Sequence, residues 1–161
     1  MCIPNGAARC ELCPLRHICR ACLENSVDRF PVKAAAKARR IERRTVLLLR
    51  CRGQFAMRRR ENKGLLAGLW EFPGAAGWIA EKELPELLRR EGIEITGCRE
   101  CGEAKHVFTH VEWHMRGYLV ECAEQTERYR WVSPQEIRKH YSIPTALRYY
   151  QRQMEAAENG A

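Results

Sequence analysis

The chain has 161 residues, 45% of them hydrophobic and 30% charged, with 28 Lys and Arg against 20 Asp and Glu and a formal net charge of +8. That length holds one domain of ordinary size plus an appendage. No apolar signal segment precedes its nine cysteines, which argues against a secreted disulfide framework, gives no reason to expect a membrane partner, and favours reduced cytosolic thiols.

The first element is a cysteine loop. Cys2, Cys10, Cys13 and Cys19 follow the pattern C-x7-C-x2-C-x5-C. Four thiolates in so short a stretch can converge on one inorganic centre, and core packing explains them poorly. Zinc modules usually pair two C-x2-C knuckles or add histidines at short spacing, whereas here only Cys10 and Cys13 form a knuckle. A cubane iron–sulfur cluster needs one thiolate per iron corner, and a single loop with unequal spacings can wrap it. Pro14 stiffens the turn, and Arg9, Arg16 and Arg20 place positive charge beside a centre whose thiolates are negative. The spacing leans toward iron–sulfur, with a zinc site using Cys22 as the open alternative. Cys98 and Cys101 make a second C-x2-C without a partner pair, and they read with Cys51 and Cys122 as buried free thiols.

Arg20 to Glu24 reads as a short helical turn. Lys33 to Arg40 has helix formers but no continuous apolar face, so it is expected to be an exposed linker or marginal helix. Through residue 60, fifteen Lys and Arg stand against four acids, a balance of +11 that leaves −3 for the remainder. Basic character of that kind attracts phosphates. For Lys33, Lys37, Arg39, Arg40, Arg43 and Arg44, plain solvation of a linker is the competing reading. The expected division is a cluster loop over 1–22, a linker over 23–43, a globular domain over 44–155 and a tail over 156–161.

Thr45 to Arg50, with its run Val46-Leu47-Leu48-Leu49, predicts a strand, and Gln54 to Arg59 pairs with it across Arg52-Gly53 as a hairpin. Trp70, Phe72 and Pro73 form an apolar strand end. Glu81 to Glu91 reads as a helix stopped by Gly92, with Leu84, Leu87 and Leu88 on one face. Strands follow at about 93 to 108 and 111 to 122, then a short one at Arg130 to Val132. Ser133 caps a helix that Pro134 opens, and Thr145 to Met154 is a terminal helix. Trp70, Phe72, Trp113 and Trp131 are assigned to the core. A mixed sheet with helices packed on it is an α+β domain.

Two stretches now meet a family. Residues 2 to 22, with Cys-Glu-Leu-Cys-Pro-Leu-Arg at 10 to 16, resemble the iron–sulfur loop of endonuclease III-like DNA glycosylases. Gly-Leu-Leu-Ala-Gly-Leu-Trp-Glu-Phe-Pro-Gly at 64 to 74 resembles a signature of the MutY adenine glycosylase family, and Phe108-Thr109-His110 is similar to its Phe-Ser-His loop. The first cysteine gap is seven residues where six is usual, with Asn5-Gly6 placed to absorb the extra one, and Thr109 stands where serine is usual. The resemblance implies a [4Fe-4S] cluster on Cys2, Cys10, Cys13 and Cys19 and a Nudix-like C-terminal domain. It also implies Arg9 and Arg16 on the DNA backbone, although the loop between the first two cysteines is neutral until Arg9. It implies a bacterial, cytoplasmic, nucleoid-associated monomer whose partner is duplex DNA carrying 8-oxoguanine opposite adenine.

Carried over by position, Thr109 takes a hydrogen-bonding role, Phe108 packs or intercalates, and His110 contacts backbone or base. Oxidation turns the N7 acceptor of guanine into a donor and adds an oxygen at C8, a change that a donor or acceptor on a loop can sense. The bland reading makes Phe108 a core residue and His110 a satisfied strand end. No catalytic residue is assigned. The family's helix-hairpin-helix and catalytic carboxylates belong ahead of the cluster loop, so the chain reads as the C-terminal portion of such an enzyme with Met1 as an internal start. Nudix hydrolases hold magnesium on helical carboxylates, but counting back from Gly92 puts Arg89 and Arg90 where Glu-Glu is needed. Pyrophosphatase activity is therefore not expected. The competing function is a free-standing Nudix-like nucleotide-binding or hydrolysing protein with a metal-bearing tail.

Overall fold

A computed structural model describes Cys2 and residues 6–32 and 38–159, and the chain divides into two compact units, Met1–Ala38 and Arg39–Ala161. Asn5 and the stretch 33–37, on which the turn and linker readings partly rest, lie outside the described residues.

The first unit is a series of tight turns. A 3-10 turn spans Cys10–Leu12, a single helical turn (α1) spans Arg20–Leu23, and a second 3-10 turn spans Val27–Arg29. Cysteines sit at the hinge points of this path: the Cys13 amide donates to the Cys10 carbonyl, Cys19 to Leu15, and Cys22 to Cys19. None of its described residues is buried. Leu12, Leu15, Ile18 and Leu23 are all exposed, Leu12 at 72%. Without a core, backbone turns alone do not offset the entropy of ordering such a segment.

The second unit is built on a mixed seven-stranded sheet with the central order β3-β2-β1-β6-β5. Its strands are β1 (Arg40–Cys51), β2 (Gln54–Arg59), β3 (Trp70–Glu71), β4 (Gly74–Ala76), β5 (Ile95–Val107), β6 (Val111–Cys122) and β7 (Arg130–Val132). The hairpin expectation holds. Arg52 and Gly53 both take positive φ, 50° and 76°, the backbone that a two-residue turn needs to match strand twist, and Cys51 pairs with Gln54. β1 nonetheless starts at Arg40, five residues earlier than its β-rich run. The cause is parallel pairing with β6, which runs unbroken from Arg40 opposite Val111 to Arg50 opposite Glu121.

Both faces of β1 are covered, and this explains its four consecutive apolar residues. Val46 and Leu48 join Trp113, Met115 and Tyr150 on one side, while Leu47 and Leu49 join Leu84, Leu88 and Tyr118 on the other. Each such side chain contributes roughly 1.5–3 kcal/mol by burial. The helices are α2 (Leu84–Arg90), α3 (Pro134–His140) and α4 (Arg148–Asn159), with 3-10 turns at Glu81–Glu83 and Thr145–Leu147 ahead of α2 and α4. Ser133 caps α3, its hydroxyl accepting from the Glu136 amide, and Pro134 sits in the first turn as expected. α4 approaches β6 so closely that a Cβ at Gly117 would collide with the Tyr150 ring. It also runs past Met154 through the expected tail, because Ala157 is buried against the core.

Two further readings need correction. Cys51 and Cys122 are buried, but Cys98 and Cys101 are only half-buried on β5. Trp113 and Phe72 are core, whereas Trp70 and Trp131 pack against it from the rim. β4 has no sequence signal of its own, being a three-residue strand placed by pairing of Gly74 with Val46 and Ala75 with Thr45.

Candidate nucleic-acid interface and cysteine cluster

In the second unit, residues 108–110 form the tight connection between β5 and β6. The Phe108 amide donates to the Val111 carbonyl at 2.8 Å and closes the turn. Two residues at the start of β1 hold the same loop: the Arg40 amide donates to the His110 carbonyl at 3.2 Å, and Arg39 Nε donates to the Phe108 carbonyl at 3.2 Å. Thr109 and His110 are exposed at the tip.

Phe108 is only half-exposed, and its ring has neighbours on two sides. It meets His106 edge-on with centroids 4.6 Å apart and Trp113 edge-on at 4.9 Å. Trp113 is buried and fixed in turn, because its Nε1 donates to Glu42 at 3.0 Å and the Arg44 guanidinium lies 3.9 Å from its ring centroid. Phe108 thus has the geometry of a packed platform that supports the tip. The Trp113–Glu42–Arg44 arrangement had no sequence signal, since Glu42 and Trp113 meet only through strand pairing.

The signature around Trp70 to Gly74 has a structural explanation in the same unit. Glu71 is buried, at 5% exposure, and its carboxylate accepts from Arg58 Nε at 2.8 Å and Arg60 Nη1 at 2.6 Å. Removing one partner from a buried pair of this kind leaves an uncompensated charge. Partial burial first, and then the field of Arg60, pulls the Arg44 guanidinium below its ordinary value. On α2, the Glu86 carboxylate lies 3.1 Å from Arg90 and 3.8 Å from Arg89. That leaves the helix with a net cationic face.

In the first unit, Arg9 and Arg16 are exposed. The four expected cysteine ligands are not gathered as a quartet: among the described residues, no three His, Cys, Asp or Glu side chains converge at metal-binding distance. Cys10 is the meeting point. Partial burial, then the neighbouring Cys22 thiol, then Cys2, push its thiol above its ordinary value. The donor set fits a soft metal centre, because five thiols fall within 21 residues of sequence in a unit with no apolar core of its own. No helix among the described residues is long and apolar enough to cross a membrane.

Residues 45–153 match the NUDIX domain family. The chain is 31% identical to the adenine DNA glycosylase of Homo sapiens over 89% of this chain and 31% of that protein, and 28% identical to the one of Rattus norvegicus over 89% and 33%. It therefore spans about a third of the length of the curated relatives it matches. Among solved structures, the C-terminal domain of mouse MUTYH, crystallised in complex with human PCNA, aligns with a TM-score of 0.57 at 20% identity, covering 74% of this chain and 90% of that one. MutT protein from Methanosarcina mazei Go1 aligns with a TM-score of 0.54 at 21% identity, covering 75% and 97%. At those identities the structural matches establish the fold, and the mixed-sheet α+β reading stands. The resemblance to adenine DNA glycosylases read from the motifs stands as well.

Proposed function

Because this chain belongs to the Nudix domain family and is similar to adenine DNA glycosylases over 89% of its length, we propose that it is the cluster-bearing and lesion-reading part of an A/G-specific adenine DNA glycosylase acting in base excision repair. The observation that carries this reading is the extent of the similarity. The second unit, Arg39–Ala161, makes up about three quarters of the chain, so a match over 89% necessarily takes in part of the cysteine unit too.

In this reading Cys2, Cys10, Cys13 and Cys19 hold a [4Fe-4S] cluster, which when bound supplies a structural staple to a unit that lacks a core. Cys22, which neighbours the Cys10 thiol, is the competing ligand. Arg9 and Arg16 touch the DNA backbone beside the cluster. The β5–β6 loop reads 8-oxoguanine opposite adenine: Thr109 offers a hydroxyl that can donate to the C8 oxygen or accept from N7–H, His110 stands beside it, and Phe108 supports both. N-glycosidic hydrolysis is assigned to no residue of this chain. Pyrophosphate hydrolysis is not assigned to the second unit either, since Glu86 is engaged by Arg89 and Arg90 where a magnesium site needs unencumbered carboxylates.

The test is a binding titration of the full chain with duplexes that carry 8-oxoguanine or guanine opposite adenine. Tighter binding to the oxidised duplex, reduced about tenfold in preference by Thr109→Ala, is the expected result. Equal affinity for the two duplexes would remove the lesion-reading role, and magnesium-dependent phosphate release from 8-oxo-dGTP at an enzymatic rate would replace it with a Nudix hydrolase.

A further inference from the structure

The sheet of the second unit is electrically polarised along its strands. β1 and β6 are parallel and β5 is antiparallel to β6, so the start of β1, the end of β5 and the loop 108–110 share one end. Arg39, Arg40, Arg43 and Lys105 stand at that end, where the carboxylates are Glu42 and Glu112. The opposite end, where β5 begins and β6 finishes, carries Glu94, Glu121, Glu124 and Glu127 beside Arg50, Arg52 and Arg128, so cations outnumber carboxylates at the loop end alone.

The cations at the loop end are distributed over both faces of the sheet. Lys105 pairs with Glu112 on the face that also carries His114, and Arg43 lies 5.0 Å from the ring of exposed Trp78 on that same face, outside every ion pair among the described residues. Arg40 pairs with Glu42 on the other face, where Glu42 also meets Trp113. The Arg40 and Lys105 side chains are 73% and 57% exposed. Their carboxylates are less exposed, Glu42 at 30% and Glu112 at 14%, but Glu42 keeps Trp113 Nε1 and Glu112 keeps His114, so either cation can exchange its carboxylate for a phosphate without leaving that carboxylate unpartnered. Arg39 differs, because its guanidinium is tied to the Phe108 carbonyl.

We infer that Arg40, Arg43 and Lys105 form a phosphate-tracking rim on both sides of the 108–110 loop, and that Arg39 is a positioning residue that holds the loop tip between them. A duplex met at the loop tip presents a phosphate strand to each side of it, and cations on both sheet faces receive those strands while the tip reads the base. This rests on the DNA reading above and assigns residues that the motif comparison does not touch. Arg43, poised over an aromatic ring and without a carboxylate partner among the described residues, needs no exchange to meet a phosphate. Arg40 and Lys105 exchange partners when the duplex arrives.

The experiment is a titration of the full chain against both duplexes between about 50 and 200 mM salt, reading affinity, preference and the slope of log affinity against log salt. Arg43→Gln and Lys105→Gln are each expected to lower the slope by about 0.9 and to weaken both duplexes by the same factor, leaving the preference intact. Arg89→Gln, which removes the same charge from α2, should change neither. Arg39→Gln should lower the preference for the oxidised duplex, with Arg39→Lys restoring part of it. Matched melting curves for all variants exclude a folding defect. Unchanged slopes in Arg43→Gln and Lys105→Gln, or the same loss in Arg89→Gln, overturn the rim. If Thr109→Ala keeps full preference while the rim variants behave as expected, the lesion reading falls and the phosphate surface stands. The reverse pattern removes the rim alone.

Discussion

Cysteine serves two different ends in the two units of this chain. In the first, Cys10, Cys13, Cys19 and Cys22 sit half-exposed at the corners of tight turns, with Leu12, Leu15 and Ile18 facing water and no buried residue among those described. In the second, Cys51 and Cys122 lie inside a sheet packed on both faces, where they act as small apolar side chains. A segment without a core must take its order from something bound to it, whereas a sheet with two cores does not.

The largest contrast should come from removing the metal centre proposed for the first unit. Chelation under oxidising conditions, or Cys10→Ser, is expected to raise the rate of proteolytic cutting within residues 1–38 by about tenfold or more, while Arg39–Ala161 remains a protected fragment with its melting temperature unchanged. If the first unit stays protected without metal, the comparison breaks. Core truncation should have the converse effect. Leu48→Ala, at a position with 0% exposure, is expected to cost about 2–5 kcal/mol in urea unfolding of the second unit, whereas Leu15→Ala, 57% exposed, should shift it by less than about 0.5 kcal/mol.

A smaller effect separates the thiols by reactivity. Burial pushes Cys122 up to about 12 and Cys101 up to about 11, from an ordinary value of 9.0. These folded-state values are raised, so the stability they contribute is complete below pH 9 and is lost as pH climbs from there toward 11 and 12. At pH 8 and in the metal-free chain, a thiol-specific chromophore should react with Cys13 and Cys19 at least about ten times faster than with Cys101 and Cys122, and equal rates would show that the second unit opens readily. The smallest expected change is local. Ser133→Ala removes the cap of α3 and should cost about 1 kcal/mol without touching DNA binding.

Much of the second unit was legible because its signals are short-range. Arg52-Gly53 forms the two-residue turn, Ser133-Pro134 opens a helix, and the run Val46 to Leu49 marks a strand covered on both sides. The candidate interface was legible only as three residues of a motif. Phe108 rests on Trp113 within one hairpin, but that Trp113 is tethered by Glu42 and that Arg39 reaches the Phe108 carbonyl are contacts between segments about 70 residues apart in the chain. No local window contains them. The cysteine spacing likewise named the donors and left their grouping open, and Cys22 proved to be the neighbour of Cys10.

Residue order was enough to specify which stretches extend, which coil and where they turn, since these follow from side-chain periodicity and backbone preference within a few residues. Chain folding then chose which strands lie side by side, drew Arg40 to Arg43 out of an apparent linker into β1, and gathered cations around the β5–β6 loop. The reason is physical. Alternation tells each strand which face is apolar but carries no label for its partner, and that choice is made by burial and hydrogen bonding across long loop closures.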